Sequence, residues 1–349
     1  MNISQIDRNF AVQTSLNVEN IKFYNIEKDP FTVYGVFLEN GKYRRIPEAV
    51  SKTVSEGVYH ANTHTSGGRI KFRTNSPYVA IHAKIPAIGS MSQFALTGSA
   101  GFDLFVGEKE EYHGVFIPPS GMTDGYESVI RFTDSKEREI TINFPLFSIV
   151  SDVYIGLEEA AVVKKTAGYK HEKPIVFYGS SITQGGCASR PGNAYVNMVA
   201  RALQSNYLNL GFTGNAKGED EIANYIKDLD MSVFVYDYDH NAPDPEHLEK
   251  THQRMFNIIR QANPELPIVM MPAPCYAPDE TQKKRAAIVK KTYTDAVANG
   301  DKNVYFIDGK TLMKYAKTDG FADYLGCHPN DLGFYSIAQA LIPLLKKLI

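Results

Sequence analysis

The sequence predicts an α/β protein in which an antiparallel β-sandwich precedes a doubly wound parallel sheet. Two patterns lead to this fold class: short segments of alternating apolar and polar residues in the first half, and apolar runs separated by segments of helical periodicity in the second. Composition is the third observation. Of 349 residues, 43% are hydrophobic and 22% are charged, which is typical of a globular protein with chain enough for about two domains.

The first half of the chain has the two-residue period of strands with one buried face. Within residues 139–144, for example, Ile140, Ile142 and Phe144 fall on the same face. Many short strands at near-regular spacing are typical of a β-sandwich, including the jelly-roll type, and residues 1–160 are assigned to this domain. The clearest alternation lies in residues 67–75, 78–85, 128–132 and 139–144.

The second half begins after a charged stretch without strand alternation, so residues 161–173 are assigned to a linker and residues 174–349 to a second domain. Residues 174–178 form a continuous apolar run, as expected for a parallel strand covered on both faces. Helical periodicity follows each strand, and ligands of such sheets bind beyond the carboxyl ends of the strands. The further strands are expected at residues 207–210, 232–238, 267–271 and 303–308, before a last helix from about 332 to 349.

Composition also excludes several classes of protein. With 37 Lys+Arg against 39 Asp+Glu the net charge is -2, which argues against a nucleic-acid surface. No apolar run is long enough for a transmembrane helix. The 3 cysteines lie far apart, and neither they nor the histidines show metal-ligand spacing. We therefore expect no metal, no organic cofactor, no nucleic acid and no membrane among its ligands and partners.

The amino-terminal residues MNISQIDRNF lack the basic and apolar regions of a signal peptide. A cytoplasmic location is the resulting expectation, with export as the alternative if a leader has been trimmed.

A candidate nucleophile follows the first parallel strand, in Tyr178–Gly185. A serine at this position lies at the ligand edge of the sheet, where backbone N–H groups of a helix start can bind a developing oxyanion. Taken alone, such a turn is more often a helix N-cap. Three further polar segments strengthen the functional reading, since each also follows a sheet element: Gly211–Asn215, Asp237–Asn241 and Gly326–Phe334.

These segments resemble the blocks of the SGNH hydrolases, also called GDSL-type esterases and lipases. Ser181 in GSSITQG matches the nucleophile, and Gly214, Asn241 and His328 match the other name-giving residues in order. The resemblance implies a flavodoxin-like five-stranded sheet. It also implies that His328 is the general base and that Gly214 and Asn241 bind the oxyanion with Ser181.

A second resemblance lies in the first half. Gly101–Phe105 is similar to the GxDLY motif of a β-sandwich domain found ahead of one SGNH branch, and Tyr43–Pro47 and Phe144–Phe147 also look like that domain. This branch resembles carbohydrate esterases more than true lipases. The alternative is a purely structural role, in which Asp103 caps a turn.

One departure concerns the residue that orients His328. The family's usual Asp three positions earlier is Leu325 here, and a leucine cannot accept the imidazole N–H. Three alternatives remain: Asp323 replaces it, a backbone carbonyl orients the ring in a Ser–His dyad, or activity is lost. We favour the carbonyl, because Gly326 lets the backbone fold close to the ring.

The sequence therefore predicts a serine esterase that removes a small acyl group, acetyl above all, from a carbohydrate or related hydroxylated substrate through an acyl-enzyme on Ser181. Its partner is then a small-molecule or oligosaccharide ester. The alternatives are an acyltransferase using the same Ser–His site and a carbohydrate-binding protein with a decayed site. Asp237, Asp239 and His240 could line the pocket, although the two aspartates are more typical of acceptors for backbone N–H groups. Cys187 and Cys327 are expected to be free thiols near the site.

Overall fold

The computed structural model describes residues 14–314, the backbone of 323–324, and residues 327–349. The chain forms two compact units. Among the described residues, the first unit takes the chain up to Arg45, Thr63–Gly168 and Ser189–Gly192, and the second takes Ile46–Asn62, Tyr169–Ala188 and the chain from Asn193. The contiguous ranges 1–160, 161–173 and 174–349 remain the sequence's prediction of domains.

The first unit consists mainly of short strands. They are β1 (Ile21–Asn25), β2 (Thr32–Tyr34), β3 (Phe37–Glu39), β4 (Lys42–Arg44), β5 (Arg69–Thr74), β6 (Tyr78–Lys84), β7 (Ala87–Ile88), β8 (Phe102–Val106), β9 (Glu111–Phe116), β10 (Gly125–Arg131), β11 (Arg138–Asn143), β12 (Ser148–Ile149), β13 (Asp152–Glu158) and β14 (Val163–Lys164).

Two antiparallel sheets dominate this unit. One has the order β1-β13-β6-β10, and the other has the order β14-β5-β11-β8-β9 with β2 also paired to β5. Ile81 and Ile155 of the first sheet share a hydrophobic core with Phe72 and Ile140 of the second. The predicted antiparallel β-sandwich is therefore confirmed, and its alternating residues are buried because they face this core.

The GxDLY-like segment supplies a fully buried carboxylate to the first unit. Asp103 accepts hydrogen bonds from Asn143 Nδ2, Arg190 Nη1 and Gly192 N, each at 2.8 Å. The Arg190 guanidinium also lies over the Tyr112 ring, 3.9 Å from its centroid. Asp103 thus does more than cap a turn, because its ion pair and hydrogen bonds hold the loop Ser189–Gly192 on the sandwich.

Among the described residues of the first half, three short helices were not predicted: α1 (Glu48–Val54), α2 (Glu56–Ala61) and α3 (Leu96–Ser99). They are too short to show a clear helical period. Ser55 ends α1 and caps α2, where its hydroxyl accepts a hydrogen bond from Val58 N at 3.1 Å. The first two helices belong to the second unit.

The second unit alternates strands and helices. Its strands are β15 (His171–Gly179), β16 (Ser205–Gly211), β17 (Val233–Asp237), β18 (Ile268–Met270), β19 (Val304–Phe306), and the short pair β20 (Asp323–Tyr324) and β21 (His328–Pro329). Its further helices are α4 (Ser181–Gln184), α5 (Tyr195–Leu203), α6 (Asp220–Lys227), α7 (Pro245–Ala262), α8 (Glu280–Ala298), α9 (Gly309–Leu312) and α10 (Asp331–Leu345).

The central sheet has the order β16-β15-β17-β18-β19, and all of these strands are parallel. This order is the 2-1-3-4-5 arrangement of flavodoxin-like folds. Side chains of β15 are buried on both faces: Val176 joins a core that includes α6 and α7, while the Phe177 ring meets the Tyr195 ring of α5 on the other face. The predicted doubly wound sheet is confirmed. In register, Gly179 lies beside Gly211 and Asp237, so the three strand ends meet at one edge.

Candidate active site

Ser181 is the first residue of α4 and lies two residues after Gly179, the last residue of β15. The Ser180 hydroxyl caps this helix by accepting a hydrogen bond from Ile182 N at 3.1 Å. Gly185 ends the helix with a φ of +103°, a conformation that favours glycine. As a residue of the first helical turn, Ser181 has a backbone N–H without a partner inside the helix, available to a ligand.

His328 faces this serine from strand β21. Its Nε2 lies 2.9 Å from Ser181 Oγ, within hydrogen-bond distance. Burial lowers the pKa of His328, so the imidazole is neutral at physiological pH and can accept the hydroxyl proton. The structure thus brings together two residues that are 147 positions apart in the chain.

Gly214 and Asn241 lie on loops that follow the strands beside β15. Gly214 has a φ of +67°, and a Cβ atom built there would meet no heavy atom within 4 Å, so there is open space next to it. Asn241 Nδ2 donates a hydrogen bond to Phe212 O at 3.0 Å, which ties it to the Gly214 loop. An amide carries two donor hydrogens, so one remains for a ligand.

The same loop is also tied to the nucleophile helix. Thr213 N donates a hydrogen bond to Gln184 Oε1 at 3.0 Å. A chain of hydrogen bonds thus runs from α4 through the Gly214 loop to Asn241. The three blocks therefore lie at one edge of the sheet, and their role as an oxyanion site stays a prediction.

The residue that orients His328 stays a prediction. Leu325 and Gly326 lie outside the described residues, and Asp323 is described only as a strand position opposite Pro329.

His240 lies beside Cys327, with its Nε2 3.3 Å from the Cys327 sulfur. Burial lowers the pKa of His240, and the positive charge of Arg285 lowers it further, so its ring is neutral. Cys187 and Cys327 are free thiols, as expected. Burial raises the pKa of Cys187 to about 11, and Cys327 contributes to the shift, which keeps Cys187 protonated.

A pocket of about 520 Å³ within the second unit includes His240 in its lining. It lies beyond the ends of β17, β18 and β19, where ligands of such sheets bind. Pro272, Ala273 and Phe306 give it apolar walls, while Arg285 contributes a charge. The sequence indicated Asp239 and His240 as possible lining residues but not the rest of the wall, because no single segment of the chain carries it.

Asp237, the last residue of β17, and Asp239, two residues after it, are both buried. Asp239 Oδ1 accepts a hydrogen bond from Ala273 N at 2.9 Å, and burial raises its pKa to about 6. Asp237 lies beneath the nucleophile turn and is bonded to Thr183 and Tyr195. Both aspartates accept a backbone N–H, the alternative favoured from the sequence: Asp239 from Ala273 and Asp237 from Ser180. The hydroxyl partners of Asp237 were not predicted.

Within the described part of the chain, no group of three His, Cys, Asp or Glu side chains is arranged to hold a metal ion. Nor does that part contain a helix with the length and apolarity needed to cross a membrane.

Comparisons with known proteins identify the families that the two parts of the chain match. Residues 172–346 match the model of the GDSL-like lipase/acylhydrolase family. Residues 21–163 match the GxDLY family, described as the N-terminus of SGNH-hydrolase-type esterases. A search of curated proteins found no match.

Several solved structures are similar over nearly the whole chain. A protein from Bacteroides ovatus described as a GDSL-like lipase has 27% identity and a TM-score of 0.84, covering 94% of this chain and 98% of its own. A salicylyl-acyltransferase from a tetracycline biosynthetic pathway has 19% identity and a TM-score of 0.77, covering 95% and 98%. An acetyl xylan esterase from the rumen bacterium Butyrivibrio proteoclasticus has 11% identity and a TM-score of 0.57, covering 94% and 98%.

Proposed function

Because the chain belongs to the GDSL-like lipase/acylhydrolase family, we propose that it is a serine esterase that removes an acetyl group from a carbohydrate or related hydroxylated substrate. The observation that carries this proposal is the 2.9 Å contact between His328 Nε2 and Ser181 Oγ. A hydroxyl hydrogen-bonded to a neutral imidazole is the arrangement that nucleophilic acyl transfer needs.

In the first half of the reaction, Ser181 Oγ attacks the ester carbonyl carbon while His328 Nε2 takes the hydroxyl proton. The tetrahedral intermediate carries its negative charge on the former carbonyl oxygen. As this intermediate collapses, the bond to the alcohol oxygen breaks. His328 returns the proton to that oxygen, and an acetyl ester remains on Ser181.

In the second half, water attacks the acetyl carbonyl and His328 accepts a proton from it. Collapse of this intermediate releases acetic acid and restores the Ser181 hydroxyl. In both halves the oxyanion is stabilised by the N–H groups of Ser181 and Gly214 and by the Asn241 amide. No cofactor is required by these steps.

The carbohydrate part of the proposal rests on similarity and on the size of the pocket. An acetyl xylan esterase shares this fold, and the GxDLY-type domain resembles that of carbohydrate esterases. The pocket beside His240, about 520 Å³ in volume, is large enough for a sugar-sized alcohol portion of the substrate.

The test combines an activity assay with mass spectrometry. The wild type is expected to hydrolyse p-nitrophenyl acetate and acetylated xylo-oligosaccharides and to show an acetyl adduct on Ser181. Ser181→Ala abolishes both, whereas Ser180→Ala, a matched change in the adjacent serine, still forms the adduct. An active Ser181→Ala variant would overturn the mechanism. Activity on p-nitrophenyl acetate without activity on any acetylated sugar would overturn the substrate class alone.

A second candidate is an acyltransferase, favoured by the similarity to the salicylyl-acyltransferase, which extends over 95% of this chain. The same acyl-enzyme would then pass its acyl group to an acceptor alcohol in place of water. An isotope-labelled acyl donor, incubated with and without acceptor alcohols, separates the two: transfer faster than hydrolysis would identify the transferase. A carbohydrate-binding protein with a decayed site would bind sugars but form no adduct.

A further inference from the structure

Asp237 is the last residue of β17, and its buried carboxyl group contacts the nucleophile turn, residues 180–183. Thr183 Oγ1 donates a hydrogen bond to its Oδ1, and Tyr195 OH lies 3.2 Å from its Oδ2. The same hydroxyl of Tyr195 lies 3.3 Å from Thr183 Oγ1, which closes the cluster. Ser180 N donates a backbone hydrogen bond to this carboxyl group as well.

The contacts are tight enough to exclude any side chain between the carboxyl group and the turn. A Cβ atom at Gly179 would lie 1.6 Å from Asp237 Oδ1 and 2.2 Å from Thr183 Oγ1. The backbone of the strand end therefore rests directly on the carboxyl group. Position 179 requires glycine for this close approach, not for its φ angle.

We propose that Asp237 is a positioning residue that fixes the geometry of Ser181 through Ser180, Thr183 and Tyr195. This inference rests on the proposed role of Ser181 as the nucleophile. Ser180 precedes Ser181, and Thr183 lies two residues after it, so Asp237 holds the chain on both sides of the nucleophile. Both the Ser181 hydroxyl and the Ser181 N–H, one of the oxyanion donors, then depend on these bonds.

The chemical state of Asp237 fits this role. Burial raises its pKa to about 8, and the nearby Asp239 adds to the shift, while the Thr183 and Tyr195 hydroxyls oppose it. The group is therefore largely protonated at neutral pH. A protonated carboxyl has one donor and one acceptor side, as a primary amide does. An asparagine can thus replace it, whereas an apolar residue of similar size cannot.

The experiment compares Asp237→Asn, Asp237→Leu and Tyr195→Phe in the full chain, with p-nitrophenyl acetate as substrate. Misplacement of a reacting group by about 1 Å can cost roughly 10²-fold in rate, so we expect Asp237→Leu to lower kcat by about that factor with KM within about twofold. Asp237→Asn is expected to keep kcat within about fivefold, and Tyr195→Phe to lose roughly tenfold.

The matched control is Tyr238→Phe. Tyr238 is as buried as Tyr195, and its hydroxyl donates a hydrogen bond to Thr251 Oγ1 at 2.8 Å, away from the nucleophile turn. The kcat of this variant shows how much activity is lost when a buried tyrosine hydroxyl is removed away from the nucleophile turn. The positioning role is wrong if Tyr238→Phe lowers kcat as much as Tyr195→Phe does. It is also wrong if Asp237→Leu fails to fold while Tyr195→Phe and Asp237→Asn are folded and both keep the wild-type kcat.

A second readout does not depend on the substrate of the enzyme. Phenylmethylsulfonyl fluoride modifies an activated serine, and mass spectrometry gives the rate constant for Ser181. If the labelling rates of the variants fall in the same order as the expected kcat values, the positioning role is supported even when no acetyl ester is hydrolysed. Absence of hydrolysis would count against the proposed function alone. Equal rates in the wild type and in Asp237→Leu, or no labelling of Ser181 in the wild type, would overturn the positioning role.

Discussion

The nucleophile and its base are held in different ways. Ser181 follows β15, a nine-residue strand inside the parallel sheet, and its neighbours are bonded to the buried Asp237 carboxyl group and to the Gly214 loop. His328 stands on a strand of two residues that pairs with another of the same length. The sheet therefore fixes the nucleophile, whereas the orientation of the base depends on a short local structure. Changes at the two places are expected to have different consequences.

The largest effect is expected from removal of the base. His328→Ala takes away the acceptor 2.9 Å from Ser181 Oγ, and turnover is expected to fall by roughly 10⁴–10⁶, as for base deletion in other serine hydrolases. Steady-state kinetics with p-nitrophenyl acetate, beside an unfolding curve, measure it. A loss below tenfold in a folded variant would remove His328 from the mechanism.

A smaller effect is expected at the proposed oxyanion site, which lies on the loops beside the nucleophile. Asn241→Ala removes one donor and also the hydrogen bond to Phe212 O, so turnover is expected to drop by roughly 10²–10³. Asn241→Asp is the isosteric control, since it keeps the shape but places a carboxylate against the oxyanion. Turnover that is unchanged in Asn241→Ala would exclude this amide from oxyanion binding.

The pH dependence reports on the base alone. Burial lowers the folded-state pKa of His328 below its ordinary value of 6.5, and only the neutral ring can act as base. The rate kcat/KM is therefore expected to be flat from neutral pH downward until the pH passes below 6.5, and then to fall about tenfold per pH unit. A midpoint above 6.5 in the pH–rate profile would show instead that a carboxylate stabilises the charged ring.

The smallest effect is expected at Asp323. If a backbone carbonyl orients His328, Asp323→Asn leaves turnover and the acidic limb of the pH profile nearly unchanged. A loss of roughly 10³ or more, comparable to removal of a triad carboxylate, would show that Asp323 is the third member. The strand pair β20 and β21 would then supply His328 with a charged partner as well as its position.

Much of this arrangement could be predicted from the sequence, for a physical reason. Parallel strands buried on both faces give continuous apolar runs, and polar residues after such runs must meet at one edge. The segments that carry Ser181, Gly214, Asn241 and His328 were therefore expected at that edge, and the resemblance to the SGNH hydrolases identified the individual residues. The order and direction of the strands agree with the fold class predicted for them.

The rest could not be predicted because it depends on packing between distant segments. Asp237 ends β17 and Asp239 lies two residues after it. Nothing in the sequence indicates which side chains or backbone groups each carboxyl group contacts. The helices α1 and α2 are too short for a periodic signal. The pocket beside His240 is lined by residues that follow three different strands, and the sequence indicated lining residues after only the first of them, β17.

The way the chain passes between its two compact units has a consequence for inheritance. Ile46, Val58 and Ala61, from the first half of the chain, belong to the core of the second unit. A gene fragment that encodes only residues 174–349 therefore lacks part of the core that it would have to bury. Recombination at a single joint cannot transfer this catalytic unit intact to another protein, so the two halves are expected to be inherited, duplicated and lost together.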